Sequence, residues 1–234
     1  MARVLFTAVV ADMRNKLNGT VFSKNKAGAY TRTKVTPVNP QSTSQVANRQ
    51  RLSQFSQLWR TLTLAQITAW NDLAKSQPFG TDVFGNPKYL SGLSLFVKLN
   101  TNVSIAGGSQ LITPPTLTTP PAALIESASV INPSPGSLDA NVEYALASTP
   151  SNVALVIYAT RSYPVSQTYN SNLYRLIKRV NADLTDSVNF SATYEATFGR
   201  PVVGQQVGIF VETIDKTSGM RIKGSEMIVV VAAS

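Results

Sequence analysis

Neither cysteine nor histidine occurs anywhere in the 234 residues. That removes disulfide frameworks, Cys/His zinc sites, thiol nucleophiles, imidazole general bases and His-ligated haem in one step. Long hydrophobic runs are missing too: nothing approaches the roughly 18 apolar residues a membrane-spanning helix needs. The opening MARVLFTAVVADMR has a short apolar run behind a single Arg, and Asp12 follows where a cleavage site would need small residues, so the chain is read as soluble and unprocessed. Lack of Cys fits either a reducing compartment or a particle exposed to varied redox conditions. What is present is enough to fold: 43% of residues are hydrophobic and 14% charged, which supports one large or two small domains with cores of their own.

Acidic residues are scarce in one half. Residues 1 to 112 hold 13 Lys/Arg against 3 Asp/Glu, net +10, whereas residues 113 to 234 hold 8 against 9, net −1. Between Asp12 and Asp72 lie Arg14, Lys16, Lys24, Lys26, Arg32, Lys34, Arg49, Arg51 and Arg60, with no acid among them. Such a stretch repels itself unless it meets an acidic surface, a nucleic acid or counterions.

Proline places the expected boundaries. LITPPTLTTPP, residues 111 to 121, favours an extended segment, because Pro fixes its own backbone and biases its predecessor away from helix. It is read as a linker between an N-terminal part and a C-terminal domain, 122 to 234. RVLFTAVV is β-prone and suited to adding a strand to a neighbouring sheet. Asn18-Gly19, and the region of Ala27-Gly28 before AYTRTKV, signal hairpins, so residues 1 to 41 are read as a basic extended arm with short strands. A helical domain follows, 42 to 110. Ser42, Thr43 or Ser44 can cap a helix over about 43 to 61, carrying Leu52, Phe55, Leu58 and Trp59 at helical spacing. Thr63 and Gln66 stand at capping-box spacing before a second helix, about 64 to 75, with Ile67, Trp70 and Leu73 or Ala74 on one face. QPFGTDVFGNPK must be a loop, and Leu90, Leu93, Phe96, Val97 and Leu99 form a third apolar stripe.

Beyond Pro121 the apolar period changes from 3.6 to 2. LIESASVI (124 to 131), LDANVEYAL (138 to 146), VALVIYAT (153 to 160), LYRLIKRV (173 to 180), VNFSATYEA (188 to 196), VGIFVETID (207 to 215) and IKGSEMIVVVA (222 to 232) read as seven short strands. In the second of these, Leu138, Ala140, Val142, Tyr144 and Leu146 alternate with Asp139, Asn141 and Glu143. The fold class is therefore α+β: a basic arm, a small helical domain, then an all-β immunoglobulin-like sandwich, the fibronectin-III-like variant fitting a chain without Cys better.

Chemistry is hard to place on this chain. The close carboxylate pairs, Asp183 with Asp186 and Glu212 with Asp215, sit at expected strand ends, where solvated turn residues belong; sequence spacing does not set them across a cleft. No EF-hand spacing, Ser-x-x-Lys or Gly-x-Ser-x-Gly element is present. Ala106-Gly107-Gly108-Ser109 lacks the Gly-Lys-Ser/Thr of a phosphate loop and reads as the end of the third helix. The chain is read as non-enzymatic, with no metal or cofactor. Phe55, Trp59, Ile67, Trp70 and Phe96 are read as a structural core in preference to a ligand-stacking site. Arg14, Lys16, Phe22, Lys24, Lys26, Tyr30, Arg32 and Lys34 are read as an interaction arm ordered only against a neighbour. Tyr158, Tyr163, Tyr169 and Tyr174 are a minor candidate set for stacking on sugars.

The text GTVFSKNKAGAYTRTKVTPVNPQSTSQVANRQ, then FSQLWRTLTLAQITAWN and LSGLSLFVKLN, resembles a family of tailed-bacteriophage and prophage virion-type proteins, in which a basic VFSKNKAGAY-type arm precedes a paired-Trp helical segment and a Ser-Gly-x-x-x-Phe-x-x-Leu-Asn helix. The likeness spans roughly residues 10 to 102. It implies a virion structural protein that contacts other virion proteins and copies of itself as a homo-oligomer, away from any membrane. A capsid decoration protein is the first expectation, and a tail or head-to-tail connector component or a nucleic-acid-binding protein the alternative.

Overall fold

The computed structural model describes residues 2–3, 13–25, 28–81, 85–133, 136–146, 152–180 and 187–233. The expected RVLFTAVV strand falls mostly outside these residues. The chain divides into two compact units, Met1–Ala47 and Asn48–Ser234. The first is a small antiparallel sheet of β1 (Ala2–Arg3), β2 (Asn15–Leu17), β3 (Thr20–Asn25) and β4 (Gly28–Thr33), in the order β1-β4-β3-β2. The second holds helices and two further antiparallel sheets, so the fold is mixed α+β.

Helix α1 (Thr43–Thr61), α2 (Leu64–Ser76) and α3 (Gly92–Ala106) follow their sequence signals closely. Thr63 and Gln66 form the reciprocal capping box: the Gln66 amide N–H donates to Thr63 Oγ1 at 3.4 Å, and the Thr63 N–H to Gln66 Oε1 at 2.9 Å. Ser91 caps α3, and Gly92 is needed beside it because a Cβ there would lie 2.2 Å from Asn71 Oδ1 of α2. At the other end Gly107 takes φ 73°, and its N–H and that of Gly108 turn back to the last carbonyls, as expected of a helix terminus. Phe96 sits between the two indoles, with Trp59 at 5.3 Å and Trp70 edge-on at 5.2 Å. Phe55, Trp70 and Phe96 are buried together with Leu95 and Leu99, and Trp59 is half-buried against them. Ile67 is half-buried outside this cluster, while Leu52 and Leu93 are exposed, because Trp70 and Ala74 on α2 and Leu95 and Phe96 on α3 occupy the centre of the interface.

The Pro-rich stretch does not separate two bodies; it lies inside the second unit and is strapped to it. The Asn100 side chain bonds both the N–H (2.8 Å) and the carbonyl (3.2 Å) of Leu111, and the Trp70 indole N–H donates to the Ile112 carbonyl at 2.9 Å. Further on, Thr118 Oγ1 donates to Asp215 at 2.5 Å and Thr213 Oγ1 to the Pro121 carbonyl at 2.6 Å. Pro removes N–H donors but leaves carbonyls to accept, and Leu111 and Leu117 add apolar packing on the helical core.

The remaining strands are β5 (Ala123–Ile131), β6 (Asp139–Leu146), β7 (Val153–Ala159), β8 (Arg175–Val180), β9 (Ser187–Asn189), β10 (Gln206–Asp215) and β11 (Arg221–Val230). They form a three-stranded sheet, β5-β6-β9, and a four-stranded one, β11-β10-β7-β8. Both give their inward residues to one core: Ile125, Val130, Val142, Tyr144 and Val188 from the first, Leu155, Ile157, Ile209 and Val211 from the second. On the opposite face of the four-stranded sheet, Ala154, Val156 and Ile214 are closed off by Ile105 and Ala106 at the end of α3. One expected strand is corrected: of VNFSATYEA (188 to 196) only Val188 and Asn189 lie in β9, and a helix, α4 (Ser191–Phe198), follows. The physical reason is a second period in the same letters. Phe190, Tyr194 and Phe198 recur every four residues and pack in a row, at 6.2 and 5.3 Å, with Tyr194 fully buried.

Candidate functional site

The N-terminal sheet is built from its turn outward. Asn18, at φ 49°, with Gly19 reverses the chain, and the Lys34 N–H closes the β3–β4 ladder onto the Gly19 carbonyl at 2.9 Å. Register then decides which side chains share a face, since directly paired residues point the same way. Lys16, Val21 and Arg32 make one cross-strand row, and Ser23 with Tyr30 the next row of that face. The opposite face carries Phe22 between Asn15 and Thr31, and Lys24 beside Ala29. The sheet therefore brings Lys16, Tyr30 and Arg32 together and sends Phe22 and Lys24 to the other side. Arg14 precedes β2, Lys34 begins an exposed segment, and Lys26 lies outside the described residues. None of residues 13–24 and 28–47 is buried, and Leu17, Val35 and Val38 are largely exposed. Cations and apolar groups thus stand side by side on an open surface.

In the second unit the carboxylates are dispersed. Asp183 and Asp186 lie outside the described residues. Glu212 and Asp215 do not converge: Glu212 stands 3.7 Å from the Arg221 guanidinium, while Asp215 is 2% exposed and accepts hydrogen bonds from Thr118, Ser218, Asn152 and Thr217. Burial alone would raise the Asp215 pKa; the donors Thr118, Thr217 and Ser218 outweigh it and hold the carboxyl below its usual range. That arrangement fastens the β10–β11 turn to the Pro-rich strap and occupies both oxygens of the Asp215 carboxylate. Elsewhere Asp72, Glu195 and Glu226 each face a cation, Lys75, Arg200 and Lys223. Three exposed carboxylates have no cation among the described residues: Glu126, Asp139 and Glu143, all on the three-stranded sheet. Asp139 and Glu143 were visible in the sequence as the polar half of an alternating strand, but alternation does not say that a face stays open.

The tyrosines do not make a stacking platform. Tyr158 lies flat against Phe210 at 4.5 Å, Tyr174 meets Phe210 edge-on at 4.7 Å, and Lys223 stands over the Phe210 ring. Tyr174 O–H donates to Glu226 at 2.6 Å, Tyr163 is buried, and Tyr169 alone of the four is well exposed. A cavity of about 200 Å³ between α1 and the end of α3 is lined by Gln54, Ser104, Gln110 and their neighbours, with no charged group. Among the described residues no group of three or more acidic side chains is placed to hold a metal ion, and no helix is long and apolar enough to cross a membrane.

No family model matches the chain, and comparison with curated proteins returns no match. The surface chemistry therefore carries the functional argument.

Proposed function

We propose that this chain is a structural component of a bacteriophage virion, a capsid decoration or stabilising protein held to its neighbour by the N-terminal unit and the helices that follow. One observation carries the reading: the N-terminal sheet displays cations and half-exposed apolar side chains, has no buried residue among those described, and belongs to a stretch with no acid between Asp12 and Asp72. Ordering such a segment costs roughly 1 to 2 kcal/mol per residue, which its own burial does not offset, so an acidic neighbour must supply the difference. The VFSKNKAGAY-type resemblance points to the same kind of particle, and a tail or head-to-tail connector is the alternative location on the same reasoning. The β5-β6-β9 and β11-β10-β7-β8 sheets are read as a fibronectin-III-like sandwich; seven strands divided three and four, with consecutive β6 and β7 in different sheets around a shared core, support this.

Removing residues 1 to 41 is the test. The truncated chain should fold and fail to copurify with particles; normal copy number in purified particles would overturn the reading. A net charge of +9 favours one rival, a nucleic-acid-binding protein. Its mark would be affinity for DNA that falls steeply as salt rises, through counterion release.

A further inference from the structure

The outer face of the three-stranded sheet is the counterpart of the N-terminal one. Its cross-strand rows are Leu124–Ala145, Ser127–Glu143–Ser187, Ser129–Asn141–Asn189 and Ile131–Asp139, with Glu126 at the bulge. Strands β5, β6 and β9 contain no Lys or Arg, and the side chains between the acids are small, so the face is flat and negative. The one cation recorded against these strands is Lys178, whose ammonium donates to the Asn189 carbonyl. Leu124 remains 59% exposed at its edge. Every other described carboxylate is paired with a cation or buried, so among the described residues of the second unit the unneutralised negative charge on the surface is concentrated here.

We propose that this face receives the N-terminal sheet of a second copy of the same chain, Lys16 and Arg32 meeting Glu126, Asp139 and Glu143, and Tyr30 and Val21 packing over the small central residues. The proposal rests on the reading of the N-terminal unit as an attachment device and names its partner. Charge complementarity selects the second copy: one surface of the chain has cations and no acid, another has acids and no cation of its own. Residues 34 to 42 carry no helix or strand and are exposed throughout. Nine extended residues reach about 30 Å, enough to carry the sheet to a neighbouring molecule. The contact joins two different surfaces, so it is head-to-tail and either closes into a ring or continues as a filament.

Charge reversal tests this, with self-association of the full chain followed by sedimentation. The K16E/R32E double variant carries two negative surfaces and the E126K/E143K double variant two positive ones; Asp139 is left in place because it holds the Asn141 and Asn189 amides. Wild type should associate, more weakly as salt rises. Each variant alone should remain monomeric with an unchanged circular dichroism spectrum, and an equimolar mixture should associate again, alternating the two chains. A monomeric wild type, or a mixture that stays monomeric, overturns the proposal. If wild type is monomeric but K16E/R32E is lost from particles, the attachment reading stands with a different acidic partner and only this inference falls. If K16E/R32E joins particles normally, the attachment reading itself falls.

Discussion

The two units of this chain use strands to opposite ends. In the second, both large sheets turn an apolar face onto a shared core in which Val142, Leu155, Ile157, Ile209 and Val211 are fully buried. In the first, the same kind of antiparallel pairing buries no side chain among the described residues: Val21, Phe22 and Tyr30 are half-exposed, and Asn15, Lys16, Leu17, Lys24 and Arg32 are exposed. Backbone pairing is common to both, so burial is the difference, and burial of apolar area is what stabilises a small sheet in water. Charge divides the same way: Asp12 is the one acid of the first unit, whereas the second carries all the others, four of which face cations among the described residues. A sheet with ladders and no buried side chain among the described residues gains little stability from its own packing.

The largest expected effect sharpens that contrast inside one residue type. Tyr194 is fully buried between Phe190 and Phe198, and its hydroxyl donates to the Thr160 carbonyl at 3.0 Å. Tyr194→Ala should cost about 3–5 kcal/mol by urea denaturation, the range for removing a buried aromatic side chain. A loss below ~1 kcal/mol would mean that α4 is not part of the core it completes.

Next comes the polar clasp. Asp215→Ala removes the acceptor for Thr118, Asn152, Thr217 and Ser218, leaving donors stranded, and should cost about 3 kcal/mol. Its pH signature has a definite sign. A carboxyl whose folded pKa is depressed contributes stability that is complete above its unfolded value, near pH 4, and is lost as pH falls through the folded value. Asp215→Asn should therefore flatten the acid limb of the stability curve; an identical limb in both proteins would show that the clasp does not titrate with unfolding.

This clasp also marks where the sequence stops being readable. The first three helices are legible because capping residues and stripes are local: Thr63 with Gln66, the stripe of Leu90, Phe96, Val97 and Leu99, Gly107 after Ala106. Most strands follow from alternation for the same reason. The strap at 111 to 121 reads only as an extended segment, since its partners Asn100, Trp70 and Asp215 are set by tertiary packing. Helix α4 is hidden because Val188, Phe190, Ala192 and Tyr194 alternate as a strand would, while Phe190, Tyr194 and Phe198 repeat as a helix does, and α4 has no side-chain N-cap to decide between them. Basic arm residues are legible as a set, but their division between two faces depends on register, and the open acidic face depends on which sheet surface the fold leaves uncovered.

Alkaline titration gives a smaller effect that again separates the units. Burial, then the nearby Glu212 carboxylate, pushes the Tyr158 phenol up to about 12, and burial with the hydrogen bond to Glu226 raises Tyr174. The folded state holds these protons more tightly than the unfolded chain, so stability is fully present below about pH 10 and falls as pH rises above it. The decline should be about 1–2 kcal/mol between pH 10 and 12, reduced by solvent at these half-exposed rings. Tyr158→Phe should lessen the slope. If the slope is unchanged, the Tyr158–Phe210 stack opens before the chain unfolds.

The smallest effect on stability is expected at Tyr30, in the unit that has no buried side chain among its described residues. Its ring stands on the Lys16–Val21–Arg32 face, half-exposed, with Ser23 as its directly paired neighbour on β3. Truncation there leaves no cavity, because no closed packing surrounds the ring, and only a small area of apolar contact is lost. Tyr30→Ala should therefore change the stability of the monomeric chain by no more than ~0.5 kcal/mol, against several for Tyr194→Ala. If Tyr30 packs on a second copy as proposed, self-association should weaken all the same. A loss of about 2 kcal/mol in the monomer would mean that the N-terminal sheet is already covered within its own chain, and the contrast between the two units would be gone.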